Sequence, residues 1–593
     1  MRYKLLKTQK ESREMIQEFR GYNHNLRIGS GEMYDEMNLS ADRYPVMAPR
    51  KPRGLHTSVP VTGMIEKDVL CYTAGTRFYF GNDSVDLELT EGRKQLISMG
   101  AYVIILPDKK YINTADTSDN GKIEVVYNVK EEENSRVSLT LCTKEGDNYG
   151  ARIAQPEAPK EPANGALWVD TSSTPHTLKQ WSESTGVWVS IATTYVRIEC
   201  TNIGKGFKQF DGIEIGGLDG IIKNFETGDE YLDTDDVASI NGSAVIWKKG
   251  DDYIVVVGLL NREYTAIDVP LKVSRTMPNM DFVIESNNRL WGCRYGTAEN
   301  GEIVNEIYAS KLGDFKNWKC YMGVSTDSYT VSLGSDGVFT GAINHLGYPL
   351  FFKERCLHKV YGAMPSQYQM QTTACRGVQK GSEHSLAIVN EVLYYKGEHG
   401  ICAYDGSLPV EVSSVLGDVH YTEAYAGAHG NKYYVSMKND EEDSLFIYDT
   451  EKGIWHKENG RYTQFCSCRD EMYASDGSAI YSLTGSGTPI EEQVEWMAET
   501  GEIGISSPDM KYTARLNIRM SMDIGSTADV FAEYDSSGEW EKQFSLTGTN
   551  LRSFSMPIRP VRCDHMKLRF IGKGDVRIYS ITKTTQDGSD ISR

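Results

Sequence analysis

The sequence is short of basic charge and of long apolar runs, and each shortage excludes a class of protein. Its 63 Lys and Arg residues against 82 Asp and Glu residues give a net charge of −19. A nucleic-acid binder needs a basic face that displaces counterions, so this class is disfavoured. The longest apolar runs, such as residues 254–260, are far below the roughly 20 residues of a membrane-spanning helix. We therefore expect no membrane insertion.

Cysteines in metal-binding or disulfide spacing are also lacking. The 11 cysteines are an odd number and are scattered along the chain. Cys466 and Cys468 are the one close pair, and C-x-C lacks the C-x-x-C spacing and the second ligand pair of a metal or redox site. The first residues, MRYKLLKTQKESREM, lack the apolar stretch of a secretory signal. We expect reduced thiols and folding in a cytoplasm.

Catalytic motifs are absent as well. The sequence contains no G-x-S-x-G, H-E-x-x-H or Walker A motif and no strand–GxGxxG–helix unit. Residues 204–206, Gly-Lys-Gly, predict a turn rather than a phosphate loop. His384, His399 and His429 occur singly, and structural or solvent-exposed histidines are the simpler interpretation of them. We expect a protein that is not an enzyme, with no catalytic residue, no cofactor and no metal.

What the chain does contain is β-forming sequence. It has 55 glycines and 35 tyrosines, which favour short strands and tight turns over long helices. A polar turn followed by a strand with an aromatic residue recurs about every 40 residues. These aromatic residues are Tyr253, Trp291, Phe351, Tyr394, Tyr433 and Tyr473, and the step from Trp291 to Phe351 is longer, at 60 positions. An all-strand repeat of this length is typical of a four-stranded propeller blade, and the alternative is an irregular array of β-sandwiches.

These patterns predict an all-β protein: a β-propeller of about six or more blades, an inserted aromatic-rich module, a C-terminal β-sandwich and a short N-terminal helix over residues 4–20. The strings DVLCYTAGTRFYFG and GAYVIILPDKKYINT resemble each other and predict additional blades. The predicted domain boundaries are 1–56 for the helix and an extended segment, 57–130 for the first blades, 131–200 for a linker and the module, 201–490 for the propeller, and 491–593 for the sandwich.

The inserted module carries three tryptophans, Trp168, Trp181 and Trp188. Exposed indole rings stack on sugar rings, so these residues are the candidate glycan contacts. The alternative is that they form the small core of a domain that needs large aromatic side chains.

Two segments resemble a known family. Residues 26–54 contain Gly31, Glu32, Asp35, Asn38, Leu39, Tyr44, Pro45 and Arg50. This set resembles the pattern G-E-x-x-D-x-x-N-L…Y-P-x-x-x-x-R of the tail nozzle (tail tubular protein B) family of short-tailed bacteriophages. Residues 289–318, RLWGCR…EIYASKLGDFKNW, are similar to nozzle blades. The tryptophan module also resembles P-x-x-P-x-x-G-x-L-W modules of phage tail proteins, and residues 558–560 with GKGDVRIYSI resemble phage structural proteins.

The resemblance implies a virion structural protein that forms a ring below the portal, and we expect this ring to be a hexamer. Its partners would be copies of itself, adaptor or portal-proximal ring proteins and tail fibres. Viral DNA would pass through an axial channel that stays closed until ejection, without specific binding, and a negative lumen would repel its phosphates. The expected location is the virion tail, after assembly in the bacterial host cytoplasm. The alternatives are a receptor- or glycan-binding tail protein and a propeller glycosidase.

Overall fold

The computed structural model describes residues 11–131, 135–218, 221–224, 228–298, 300–439, 442–504, 510–556, 558 and 561–587. Nearly all regular structure in these ranges is β-strand, arranged in eleven sheets. The one α-helix among the described residues is Thr234–Val237, and no described helix has the length and hydropathy to cross a bilayer.

Seven of the sheets are the blades of a propeller, numbered here in chain order. The strands of blades 1 and 2 are Gly63–Lys67, Val69–Ala74, Arg77–Phe80 and Asp83–Asp86, then Gln95–Met99, Tyr102–Leu106, Lys110–Asn113 and Asn120–Lys122. Those of blades 3 and 4 are Phe282–Ser286, Arg289–Thr297, Ile303–Ala309 and Tyr329–Ser332, then Gly341–His345, Tyr348–Lys353, Cys356–Tyr361 and Gln369–Ala374. Blades 5 and 6 comprise Ala387–Val389, Val392–Lys396, Ile401–Tyr404 and Val410–Glu411, then Glu423–His429, Lys432–Lys438, Asp443–Asp449 and Ile454–Glu458.

Blade 7 combines strands from distant parts of the sequence. It contains Gln464–Cys468, Glu471–Ser475, Ile480–Ser482, Gly54–Thr57 and Thr488–Pro489. Strand Gly54–Thr57 pairs with Ile480–Ser482, so a segment that precedes blade 1 completes the last blade. The innermost strand of blade 1 contacts those of both blade 2 and blade 7. The ring is therefore closed, and the prediction of a propeller with six or more blades is confirmed.

Local sequence explains the blade pattern. The central strands are buried on both faces because blades stack on each other; in Tyr102–Leu106, for example, Val103, Ile104 and Ile105 are fully buried. The first hairpin of blade 3 turns at Asn287 and Asn288, whose φ angles are 54° and 57°. Asparagine tolerates this left-handed backbone, which two-residue hairpin turns require.

A separate two-sheet domain is inserted between blades 2 and 3. One sheet contains Val125–Asn128, Gly212–Gly216, Gly242–Val245 and Lys272–Arg275. The other contains Val137–Cys142, Tyr195–Glu199, Ile221–Asn224, Gly228–Tyr231, Lys248–Lys249, Tyr253–Val257 and Tyr264–Asp268. Both sheets contribute to one hydrophobic core. The assignment of residues 201–275 to the propeller was therefore wrong, and Tyr253 lies in this domain rather than in a blade. Period-2 alternation is the same in a sandwich strand and a blade strand, which explains the error.

The C-terminal region forms one eight-stranded sheet that folds on itself. Its strands are Glu11–Ile16, Met33–Met37, Glu495–Thr500, Lys511–Tyr534, Glu541–Met556, Arg562–Cys563, Met566–Lys573 and Val576–Asp587. Strand Lys511–Tyr534 pairs through its first half with Val576–Asp587 and through its second half with Met566–Lys573. The folded sheet encloses a core of its own, which also buries Phe19, Met33 and Leu39 from the N-terminal segment.

The predicted N-terminal helix is not observed in its described part. Residues 11–16 form a strand that pairs with Ile581–Gln586, and residues 4–10 lie outside the described residues. The free edge of Val576–Asp587 offers backbone partners, and this tertiary pairing outweighs the helical spacing of Met15, Ile16 and Phe19. The remaining short helical turns are the 3₁₀ segments Ala41–Arg43, Val129–Glu131, Pro365–Gln367 and Ser414–Leu416.

Candidate functional sites

The segment of residues 26–54 lies between the propeller and the folded C-terminal sheet. Asn38 donates from Nδ2 to the Glu495 carbonyl (2.8 Å), and its Oδ1 accepts from Arg50 Nε (3.1 Å) and from the Asn459 amide (3.2 Å). Gly31 has φ +88°, and a Cβ there would collide with the Glu18 carbonyl oxygen. Asn38 thus serves the joint between domains, whereas Gly31 permits a close approach within the N-terminal segment.

Two arginines of this segment share one buried carboxylate of blade 6. Glu458 Oε2 lies 2.6 Å from Arg53 Nη2 and 3.4 Å from Arg50 Nε, and all three side chains are 4–6% exposed. Arg50 also pairs with Glu491, next to the folded sheet. Burial alone would lower the pKa of Arg53, but the Glu458 carboxylate, together with Tyr462 and Glu491, raises this pKa above its ordinary value. We call Arg50, Arg53, Glu458 and Glu491 the N-terminal clamp.

A second joint connects blade 3 to the inserted domain. Asn317 donates from Nδ2 to Asp211 Oδ1 (3.0 Å), and its Oδ1 accepts from the Gly212 amide (2.9 Å). Asp211 forms a buried ion pair with Arg275, at the end of the inserted domain. Arg289, 1% exposed, donates to the Ser310 carbonyl (2.7 Å) and so holds the loop that carries Asn317. The nozzle-like blade segment 289–318 therefore supplies the second joint.

The propeller axis contains a cavity of about 730 Å³ at the start of the innermost strands. Arg93, Gln95, Asp281, Glu383 and His384 bring polar groups to its wall, among many apolar side chains. The two carboxylates accept backbone amides: Asp281 from Tyr295 (2.8 Å) and Glu383 from Gly381 (2.9 Å). Burial raises the pKa of Asp281, and burial with the nearby Arg93 lowers the pKa of His384 to about 4. This cavity has the size and mixed lining of a ligand pocket.

The tryptophan module is the four-stranded sheet Arg152–Gln155, Leu167–Asp170, Thr177–Ser182 and Val187–Ser190. Trp188 packs edge-on against both other indoles, with ring centroids 5.4 Å apart in each pair. Trp168 is 5% exposed, and its Nε1 donates to the Gln155 carbonyl (2.8 Å). Trp168 thus belongs to the core of the module, and its predicted contact with glycans is corrected. Trp181 and Trp188 are half-buried and keep part of their surface in solvent.

The singly occurring histidines are not brought together. His384 lies in the axial cavity, His399 is exposed after blade 5's second strand, and His429 contacts Ser467 (2.9 Å). Within the described ranges, one group of three side chains has metal-capable atoms within 4.8 Å of each other: Asp535, Asp564 and His565. Its oxygens already accept hydrogen bonds, since Asp535 Oδ1 takes the Asp564 amide (2.8 Å). The eleven cysteines are free, and Cys466 and Cys468 lie on one strand of blade 7.

Comparison with known proteins finds little. No family model matches the sequence, and no curated protein matches it. An exo-β-1,3-galactanase from Phanerochaete chrysosporium is 7% identical over 50% of this chain and 95% of that chain, with a TM-score of 0.19. A family 43 arabinoxylan arabinofuranohydrolase from Bacillus subtilis is 10% identical over 50% and 94%, with a TM-score of 0.17. The extracellular domain of a hybrid two-component system from B. thetaiotaomicron is 10% identical over 93% and 98%, with a TM-score of 0.19.

Likenesses of this size carry no argument about fold or function. The partners within each joint escaped sequence reasoning. Glu458 lies 405 positions from Arg53, and Asp211 lies 106 positions from Asn317. Nothing in local spacing connects such residues. The one available signal was an isolated charge beside a strand, such as Asp211 before the strand Gly212–Gly216.

Proposed function

We propose that this chain is a structural protein of a phage virion, a tail nozzle or connector that forms a ring with a DNA-conducting axial channel. The observation that carries the proposal is where the nozzle-like residues lie. Asn38 and Arg50 of the first segment and Asn317 of the second lie in joints between domains, and Arg289 holds the loop that carries Asn317. A chain whose nozzle-like residues hold its domains in fixed positions is suited to a structural role.

The buried charges of the joints support the same proposal. The clamp and the Asp211–Arg275 pair use arginine–carboxylate contacts at 2–6% exposure, apart from Glu491 at 24%. A displacement within such a pair would leave a buried charge uncompensated, which favours one fixed geometry. A net charge of −19 suits a conduit, since phosphates would not adhere to an acidic wall.

Electron microscopy of the purified chain, alone and mixed with its candidate adaptor ring, tests this proposal. We expect closed rings with an axial channel, either alone or on the adaptor. The matched variant is Glu458→Gln, which should weaken domain alignment and lower the yield of closed rings. Monomers in both samples, together with adherence to host envelopes, would contradict the nozzle proposal.

A second candidate function is glycan or receptor binding by the tryptophan module. Trp181 and Trp188 keep exposed surface beside Val187 and Val189, which are 52% and 50% exposed on the outer strand of the module. Host-cell adherence that is lost in Trp181→Ala and Trp188→Ala but kept in Val189→Ser would favour this function. Equal adherence of all variants would refute it.

A further inference from the structure

A serine, a histidine and an aspartate form a hydrogen-bonded chain at one end of the folded C-terminal sheet. Ser536 Oγ lies 2.8 Å from His565 Nε2, and His565 Nδ1 lies 2.7 Å from Asp564 Oδ1. The aspartate therefore fixes the imidazole with its Nδ1 proton facing the carboxylate, which leaves Nε2 free to accept the serine proton. This is the order of contacts that a serine nucleophile requires.

The backbone at Ser536 is held in an unusual conformation. Strand Lys511–Tyr534 ends in a two-residue turn, closed by a bond from the Ser537 amide to the Tyr534 carbonyl (3.1 Å). Asp535 and Ser536 both have φ +50°, where asparagine–glycine is the favoured pair. A serine in this region is less favourable than a glycine, because its Cβ crowds the following carbonyl oxygen. Asp535 offsets this cost by accepting the Asp564 amide (2.8 Å), which fixes the turn beside His565.

A cavity shares one wall residue, Glu502, with the surroundings of the serine. It has a volume of about 400 Å³ and is lined by residues that include Arg27, Tyr34, Glu502 and Lys567. Glu502 connects the two features, since its Oε1 lies 3.4 Å from Ser536 Oγ and 4.0 Å from His565 Nε2. Arg27 forms no ion pair with any described residue, so the cavity offers a free cation. Cavities of 300–1,000 Å³ suit small ligands.

We propose that Ser536, His565 and Asp564 form a cleavage site for a small carboxylic ester, and that the cavity beyond Glu502 receives one end of this substrate. His565 Nε2 takes the proton of Ser536 Oγ while Oγ bonds to the ester carbonyl carbon. The carbon–oxygen bond to the alcohol breaks, and His565 returns the proton to the departing alkoxide. Water then repeats these steps on the acyl-serine and releases the acid. The Glu502 carboxylate stabilises the imidazolium that forms in each half-reaction.

This activity is independent of the proposed structural role, and the purified full chain suffices to test it. The chain is treated with a fluorophosphonate probe, which forms a P–O bond to an activated serine and releases fluoride, and the labelled peptide is located by mass spectrometry. Hydrolysis of p-nitrophenyl acetate is followed in parallel. The variants are Ser536→Ala and His565→Gln, with Ser537→Ala on the same turn as the matched control. Equal urea midpoints verify that all four proteins fold.

We expect the label on Ser536 in the wild type and in Ser537→Ala, and none there in His565→Gln. Hydrolysis should fall about 100-fold or more in Ser536→Ala and His565→Gln, which is the usual contribution of a positioned general base. Equal labelling of Ser536 and Ser537, labelling that persists in His565→Gln, or unchanged hydrolysis in Ser536→Ala would overturn the proposal. The three side chains would then only fasten the turn.

Discussion

Replacing Glu458 with glutamine tests the N-terminal clamp directly. The change keeps the size of the side chain and removes the one carboxylate that pairs with the Arg53 guanidinium among the described residues. Arg50 retains Glu491, whereas Arg53 keeps only neutral acceptors, the Asn459 carbonyl (2.7 Å) and the Tyr462 hydroxyl (3.1 Å). The variant therefore leaves a charge buried at 4% exposure without an anion.

The expected loss follows from this geometry. Breaking a buried ion pair by removing one partner costs 3–5 kcal/mol, and the amide preserves part of the hydrogen bonding. We therefore expect the free energy of unfolding to fall by about 3 kcal/mol. Solvent would screen the unpaired Arg53 charge only weakly, because the three side chains are 4–6% exposed.

Urea unfolding monitored by tryptophan fluorescence and circular dichroism measures this loss. The midpoint should fall while the dependence on urea stays the same. The matched control is Glu451→Gln on the same blade, where the exposed carboxylate accepts from Asn431 (2.6 Å), and this change should stay within about 0.5 kcal/mol of the wild type. If Glu458→Gln also stays within that range, the clamp does not stabilise the joint and the reasoning fails.

Three further predictions follow from single sites. Gly31→Ala should lower the melting temperature more than Gly75→Ala, since both have positive φ but only Gly31 faces a backbone oxygen; equal shifts would contradict the steric argument. Trp168→Ala should cost about 3–5 kcal/mol and speed proteolysis within the module, whereas the half-buried Trp188 should cost less. Burial and Lys353 lower the pKa of His358 to about 4. As the pH falls from 6.5 to 4, the unfolded chain therefore binds a proton that the folded protein does not bind, and the free energy of unfolding decreases. In His358→Gln this decrease in the free energy of unfolding should be smaller by up to about 3 kcal/mol. A slope of unfolding free energy against pH equal to that of the wild type would contradict this prediction.

The sequence predicted the all-β class and the propeller, because blade strands repeat a local pattern of turn, aromatic residue and alternation. Tyr394, Tyr433 and Tyr473 lie in blades 5, 6 and 7 as the period indicated. The inserted domain was missed because strand alternation does not reveal which sheet a strand joins, as Tyr253 illustrates. The prediction of a helix over residues 4–20 was wrong for Glu11–Ile16, because this segment pairs as a strand with Val576–Asp587.

The sites were less predictable than the fold. Trp168, Trp181 and Trp188 were correctly grouped, since they lie on one short sheet, but their exposure depended on packing that spacing cannot show. The clamp and the Ser536–His565 contact join residues that are distant in sequence or lie on different hairpins. Only three-dimensional structure brings such groups together, and composition gives no signal for them.

The pairing of strand Glu11–Ile16 with strand Val576–Asp587 has a consequence for synthesis. Ser12 and Thr585 are neighbours in the folded sheet but 573 positions apart. At ribosomal rates of about 5–20 residues per second, the N-terminal strand waits roughly half a minute to two minutes for its partner. During that interval its backbone edge, and that of Gly54–Thr57, is open to other chains. Nascent polypeptides on neighbouring ribosomes are therefore exposed to mispairing, and a stop codon before position 581 would release chains that carry this unpaired edge permanently.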